Sequence, residues 1–223
     1  MPDQPLDVAI VDYNMGNLYS VKHACAYVGL HAEITSSHET ITNARAVILP
    51  GVGAFGDAMG TLHRLGLVSV LRDIAASGKP LIGICLGIQL LMTESYEFGR
   101  HPGLDIIEGP VVPFENPTEH GRALKVPQIG WNRIVSADRS WVETQIDGVA
   151  NGEYMYFVHS FIVKPQDPSV MLSTSCYGNV GFCSSLQRGN VFACQFHPER
   201  SGVEGLKVYR NLAHLIHTTS EVL

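Results

Sequence analysis

The sequence predicts an α/β fold: a mostly parallel sheet with helices on both faces, extended by additional antiparallel strands. Three observations predict it. Short apolar runs alternate with helix-like spacing through the first hundred residues, as happens where parallel strands are buried on both faces. The second half instead carries short strand-like runs separated by turn residues, including Gly178-Asn179 and Arg188-Gly189-Asn190. A chain of 223 residues, 45% hydrophobic and 16% charged, suits one domain over 1–223 whose core needs no disulfide or metal.

The elements follow in order. Residues 6–11 are an apolar run bounded by charge, a buried strand. Residues 17–28 show helical spacing that Gly29 stops, and 32–35 form a second short strand. Residues 46–49 are a third strand, ending at Pro50, and 55–76 form one or two helices broken near Gly66. Residues 80–84 are a strand, and 86–96 are expected to be helical straight after it. Strand-like runs follow at 106–114, 154–163, 170–176, 181–186 and 191–195, with a loop at 165–168. An amphipathic helix over 204–217 closes the chain.

Charge and composition narrow the function. A formal net charge of −6 carries no electrostatic footprint for nucleic acid. The N-terminal MPDQPLDVAIVDYN has acids and prolines where a signal peptide would have basic residues, and no apolar run reaches membrane-spanning length. A cytoplasmic enzyme without nucleic-acid or membrane partners is expected. The five cysteines are odd in number and widely spaced, which argues against a disulfide framework. Cys176 and Cys183 lack the paired spacing of a zinc site, so neither a metal nor an organic cofactor is expected.

The most informative segment is Gly83-Ile-Cys85-Leu-Gly87, which joins a buried strand to a helix. A nucleophile on such a turn stands clear of the sheet, and glycines on either side permit the turn and close packing. The N–H groups that follow favour a thiolate, and the Leu86 N–H can meet a developing oxyanion. A buried, inert cysteine is the plainer reading of Cys85, as it is for the other four. A cysteine nucleophile needs a base and a group to orient it. Gln195-Phe-His197-Pro-Glu199 supplies both: in extended chain, residues two apart share a side, so Glu199 could hold the imidazole of His197. His159, with Glu153 as orienter, is a second candidate base. The Pro50-Gly-Val-Gly53 turn could offer backbone N–H groups to an anion, although taken alone it reads first as a structural turn.

Taken together, PGVGAFGDAM, GICLGIQLLM and QFHPERSG resemble the class I (triad) glutamine amidotransferases, in their order and through nearly the whole chain. Tyr13-Asn-Met-Gly-Asn17, Val126-Pro-Gln-Ile-Gly-Trp-Asn132 and Tyr156-Phe-Val-His-Ser160 are similar to the branch that feeds a cyclase of histidine biosynthesis. Position 128 departs from it, being Gln in place of His. The resemblance implies a catalytic triad of Cys85, His197 and Glu199, and an oxyanion hole at Val52 and Leu86. It implies glutamine binding by Gly51, Gly53, Gln89, His159 and Ser160. It implies ammonia transfer to a (β/α)₈-barrel cyclase subunit through a face that includes Asn14, Asn17, Trp131, Asn132 and Tyr156.

The resemblance also implies weak activity alone, with a peptide of the Pro50–Gly53 turn flipping when the partner binds its ligand. Proline at Gly51 or Gly53 should then remove the coupling. Three rivals stand beside this reading. One is a glutaminase subunit of another ammonia-using synthase, such as a sugar-amidine paralogue. The others are a cysteine peptidase on the same scaffold and a catalytically dead binding subunit.

Overall fold

The computed structural model describes residues 6–220; of the N-terminal segment read for targeting, residues 1–5 lie outside it. The parallel half is built from β1 (Val8–Val11), α1 (Leu18–Tyr27), β2 (Ala32–Thr35), α2 (His38–Asn43) and β3 (Ala46–Gly51). It continues with α3 (Phe55–Arg64), α4 (Leu67–Ala76), β4 (Leu81–Cys85) and α5 (Leu86–Leu90). The two-helix reading of 55–76 holds, because Gly66 sits at φ 67, which ends one helix and turns the chain into the next.

The 86–96 helix does not form as expected. α5 stops after five residues, and β5 (Met92–Ser95) begins at once. β5 lies between β6 (His101–Pro102) and β7 (Ile107–Pro113), pairing antiparallel with one and parallel with the other. That ladder overrides the helical spacing of 86–96. α2, not expected from the sequence, is too short for periodicity to register but is capped by Ser37, whose hydroxyl accepts from Thr40 N at 3.3 Å.

The second half contains β8 (Thr118–Glu119), β9 (Arg122–Ala123), β10 (Gln128–Arg133) and β11 (Val135–Ser136). β12 (Tyr154–His159) and β13 (Phe161–Val163) divide the single run expected over 154–163, and each joins a different sheet. β14 (Met171–Tyr177), β15 (Val180–Arg188), β16 (Val191–Cys194) and α6 (Gly202–Ser220) follow.

The main sheet has the order β11-β14-β15-β16-β4-β3-β1-β2. Its strands from β16 to β2 are parallel, and β14 and β15 extend it antiparallel. Alternate residues of the parallel strands serve two cores. Ala9, Val11, Val47 and Leu49 face one with α3 and α4, whereas Val8, Ile10, Ile48 and Ile82 face the other with α1 and α6. Burial on both faces places the C-terminal ends of β3, β4 and β16 side by side. Those ends carry Gly51, Cys85 and the segment leading to His197, and open α/β sheets place their sites at this edge.

Candidate active site

Cys85 ends β4 at φ 56 and ψ −104, a conformation that costs a non-glycine residue energy and that the surrounding packing must hold. The flanking glycines explain how. A Cβ on Gly87 would lie 2.0 Å from Leu49 O, a backbone atom that has no rotamer to move. A Cβ on Gly83 would come within 3.1 Å of Ala193 Cβ on the neighbouring strand. The elbow therefore needs both glycines for space. Because α5 has only five residues, the help offered to a thiolate comes from the first N–H groups of the turn rather than from a long helix dipole.

A cavity of about 240 Å³ opens over Cys85, with Val52, Gly53, Leu86 and Gln89 among its walls. His159 and Ser160 line it too, at the break between β12 and β13. A larger cavity, of about 550 Å³, is lined by Glu94, Glu108 and Arg188 among others and shares no residue with the first. The Cys85 Sγ lies 3.7 Å from Val158 O, to which it can donate.

His197 follows β16, and its buried ring binds Glu199 through Nδ1, 2.8 Å from Oε1. The carboxylate accepts there, so Nδ1 carries the proton and Nε2 is left for Cys85. Among the described residues Nε2 has no partner of ordinary hydrogen-bond geometry, and its neighbour is the Cys85 thiol. The pairing was expected from an extended chain. Pro198–Arg200 is instead a 3₁₀ turn, and it is this turn that brings Glu199 back to the ring. The turn is pinned to β12: His197 N donates to Tyr156 O at 2.9 Å, and Ser201 Oγ donates to His197 O at 2.7 Å. Burial alone would disfavour the imidazolium. Contact with Cys85 and Glu199 outweighs it and raises the His197 pKa to about 10.

His159 is differently placed. Its Nδ1 donates to Phe161 O at 2.9 Å, and Phe114, Phe157 and Phe182 surround the ring. Burial, aided by the nearby charge of His197, lowers its pKa to about 4. Among the described residues no carboxylate orients it, and Glu153 Oε1 accepts from Tyr154 N instead. The second candidate base thus lacks its orienter and is neutral at pH 7. The pH dependence has a definite sign. With a folded pKa near 4 against 6.5 for an ordinary imidazole, the unfolded chain protonates first as pH falls. Stability is complete above about 6.5 and is lost toward 4, by on the order of 2–3 kcal/mol at pH 4.5. Urea unfolding at pH 7 and pH 4.5 checks this: the drop should be smaller in His159→Leu, and an equal drop in both proteins would contradict it.

The Pro50–Gly53 turn uses its two glycines for different reasons. Gly53 needs its φ of 114, whereas Gly51 is glycine for space: a Cβ there would lie 2.0 Å from the Tyr13 hydroxyl. That hydroxyl donates to Pro50 O at 2.7 Å. Proline at Gly51 would therefore displace Tyr13 as well as restrict the peptide, and proline at Gly53 cannot adopt the φ of 114 found there, so both changes disturb the turn itself. Gly51 does not line the cavity, although Val52 and Gly53 do.

The residues expected at a partner face do not behave alike. Trp131 is 56% exposed and meets Tyr156 edge-on across the β10–β12 ladder, with centroids 6.0 Å apart. The Arg200 guanidinium lies 4.6 Å from the centre of the Tyr156 ring. Asn14 and Asn17 are exposed, and α1, which Asn17 precedes, packs on the 3₁₀ turn of Glu199. Asn132 is engaged internally: Nδ2 donates to Cys176 O at 2.8 Å, and Oδ1 accepts from Arg133 N at 2.8 Å. Gln128 is buried and points away from the outer face.

Two residues were passed over in the sequence. Glu97 lines the Cys85 cavity, and its Oε2 accepts from Phe55 N at 2.5 Å. Gln195, quoted only as part of a motif, is fully buried beside Cys85.

The family described as glutamine amidotransferase class-I matches residues 9–214. The imidazole glycerol phosphate synthase subunit HisH of Rhodopirellula baltica is 47% identical over 92% of this chain and 96% of its own. The protein of the same description from Syntrophotalea carbinolica is 45% identical over 93% of this chain and 100% of its own. Among solved structures, that of PurLQS from Thermotoga maritima shares the fold at a TM-score of 0.72 and 17% identity, covering 96% of this chain and 100% of that one. A crystal structure described as a glutamine amidotransferase does so at 0.70 and 20%, covering 94% and 98%.

Proposed function

The chain belongs to the class-I glutamine amidotransferases, and on that premise we propose that it is the glutamine-hydrolysing subunit of an imidazole glycerol phosphate synthase. Its relatives at 45–47% identity carry that description over nearly their whole length. The observation that carries the chemistry is the alignment of Cys85, His197 and Glu199, with the imidazole proton fixed on Nδ1.

The Cys85 thiolate attacks the side-chain amide carbon of glutamine, and the Leu86 N–H and the Val52 turn receive the oxyanion. The His197 imidazolium gives its Nε2 proton to the departing amine. Ammonia leaves and a glutamyl thioester remains. His197 then takes a proton from water, hydroxide adds to the thioester, and glutamate departs as the thiolate is restored. Glu199 holds the ring and offsets its charge. Gln89, Gly53 and the chain at His159 and Ser160 hold the substrate, and the Glu97 carboxylate faces its ammonium group.

Ammonia passes to a (β/α)₈-barrel cyclase subunit seated over Trp131, Tyr156, Asn14 and Asn17. Trp and Tyr partly exposed next to a site are suited to such an anchor. Among the described residues no helix is long and apolar enough to cross a membrane. The test is glutamate release by the chain alone, with a barrel cyclase, and with cyclase plus its nucleotide ligand. Release should rise by at least about tenfold only in the full mixture, in line with an allosteric coupling above 1 kcal/mol. Equal release in all three would contradict the pairing.

A further inference from the structure

We infer that Gln195 is a positioning residue that fixes the Gln89 carboxamide toward substrate and donates a hydrogen bond to the Cys85 sulfur. The inference rests on the glutaminase reading for its kinetic consequences, but its contact with sulfur stands independently.

Gln89 presents one terminal atom to Phe161 O at 3.3 Å. A carbonyl only accepts, so that atom is the amide nitrogen. The same nitrogen lies 3.1 Å from the terminal atom of Gln195, which must then be its oxygen. The remaining atom of Gln195 is its nitrogen, 3.9 Å from Cys85 Sγ. One fixed acceptor thus settles the orientation of two amides in series. Both hydrogens of Gln89 Nε2 are used, and its Oε1 is left as the acceptor that Gln89 brings to the cavity. Gln195 itself is completely buried directly after β16, with its own N–H donating to Ser184 O at 2.9 Å.

Two consequences follow. An N–H aimed at sulfur favours the nucleophilic thiolate. The acceptor on Gln195 holds the second hydrogen of Gln89 Nε2 beside the one that Phe161 O takes, and the two together keep Gln89 from turning over and offering N–H groups to a cationic ammonium. Without that acceptor, glutamine binds poorly even where the fold is intact.

Gln195→Met, Gln195→Glu and the wild type should be compared in complex with the cyclase for kinetics, and as the full chain for iodoacetamide alkylation. Alkylation is mapped to Cys85 by peptide mass. Melting temperature is recorded for each. Gln195→Met should alkylate Cys85 about tenfold more slowly at pH 7.5, lower kcat, and raise the KM for glutamine about tenfold. Gln195→Glu retains the acceptor toward Gln89 and should restore KM to within about twofold of the wild type. A Gln195→Met KM effect that adds in full to that of Gln89→Met would overturn the relay, since contacting groups are non-additive. Unchanged alkylation of Cys85 in Gln195→Met would overturn the sulfur contact. If the wild type released no glutamate, the glutaminase reading would fail while the alkylation arm still decided the contact. If Gln195→Met does not fold, Gln195→Glu decides the relay alone: a KM raised as far as that of Gln89→Met overturns it.

Discussion

Replacing Cys85 by alanine reduces glutamate release by at least about 10³-fold, because loss of a nucleophile leaves only binding and oxyanion contacts to act on the amide. The fold should survive. The side chain is small, and alanine keeps the Cβ that the elbow already accommodates between Gly83 and Gly87. A second reading accompanies the loss of activity. Cys85 is a major cause of the raised His197 pKa, so the imidazole of Cys85→Ala should titrate well below the value of about 10 that holds with the thiol present. Proton NMR of the His197 ring follows this directly. Glutamate release that persists in the variant would remove Cys85 from the mechanism.

Glu199→Gln is the second large expected effect, a fall of about 10² to 10⁴ in kcat. The geometry allows the amide oxygen to accept from Nδ1 as the carboxylate does at 2.8 Å, but a glutamine can also turn its NH₂ toward the ring and impose the wrong tautomer. The imidazolium that gives up its proton during thioester formation loses its counter-charge in either orientation. The loss should appear mainly in kcat, since Glu199 is not among the residues lining the cavity. A steady-state comparison of kcat and KM in the assembled complex checks it; a change confined to KM would assign Glu199 to substrate binding.

Much of the scaffold was legible because parallel strands buried on both faces are written as unbroken apolar runs. Residues 46–49 and 80–84 are such runs, and they lie adjacent in the sheet. The Cys85 elbow was legible for a related reason, since glycines at two fixed positions leave a signature. β10 left none: two of its three outward residues, Ile129 and Trp131, are apolar, with Arg133 the third, so the usual contrast between apolar inside and polar outside is absent. The misread helix over 86–96 hid Glu97. A continuous helix would have carried that residue away from the elbow, whereas the early turn into β5 brings its carboxylate back to Phe55 N and the cavity. Gln195 was hidden by chemistry rather than topology. A buried amide has no distinctive pattern in a sequence, and its meaning comes only from Phe161 O, which fixes the orientation of Gln89 and through it that of Gln195. The pairing of His197 with Glu199 was anticipated, but through an extended segment where a 3₁₀ turn is found.

The central claim is that glutamine is cleaved at Cys85. A glutamine analogue bearing an electrophilic ketone in place of the amide tests it most directly, with the label mapped by peptide mass. One label per chain is expected, on Cys85, blocked by glutamine and appearing in step with loss of glutamate release. The exposed thiol of Cys176 supplies an internal control for unguided reaction. Label that settles on Cys176 as readily as on Cys85, or glutamate release that continues after Cys85 is fully labelled, would contradict it.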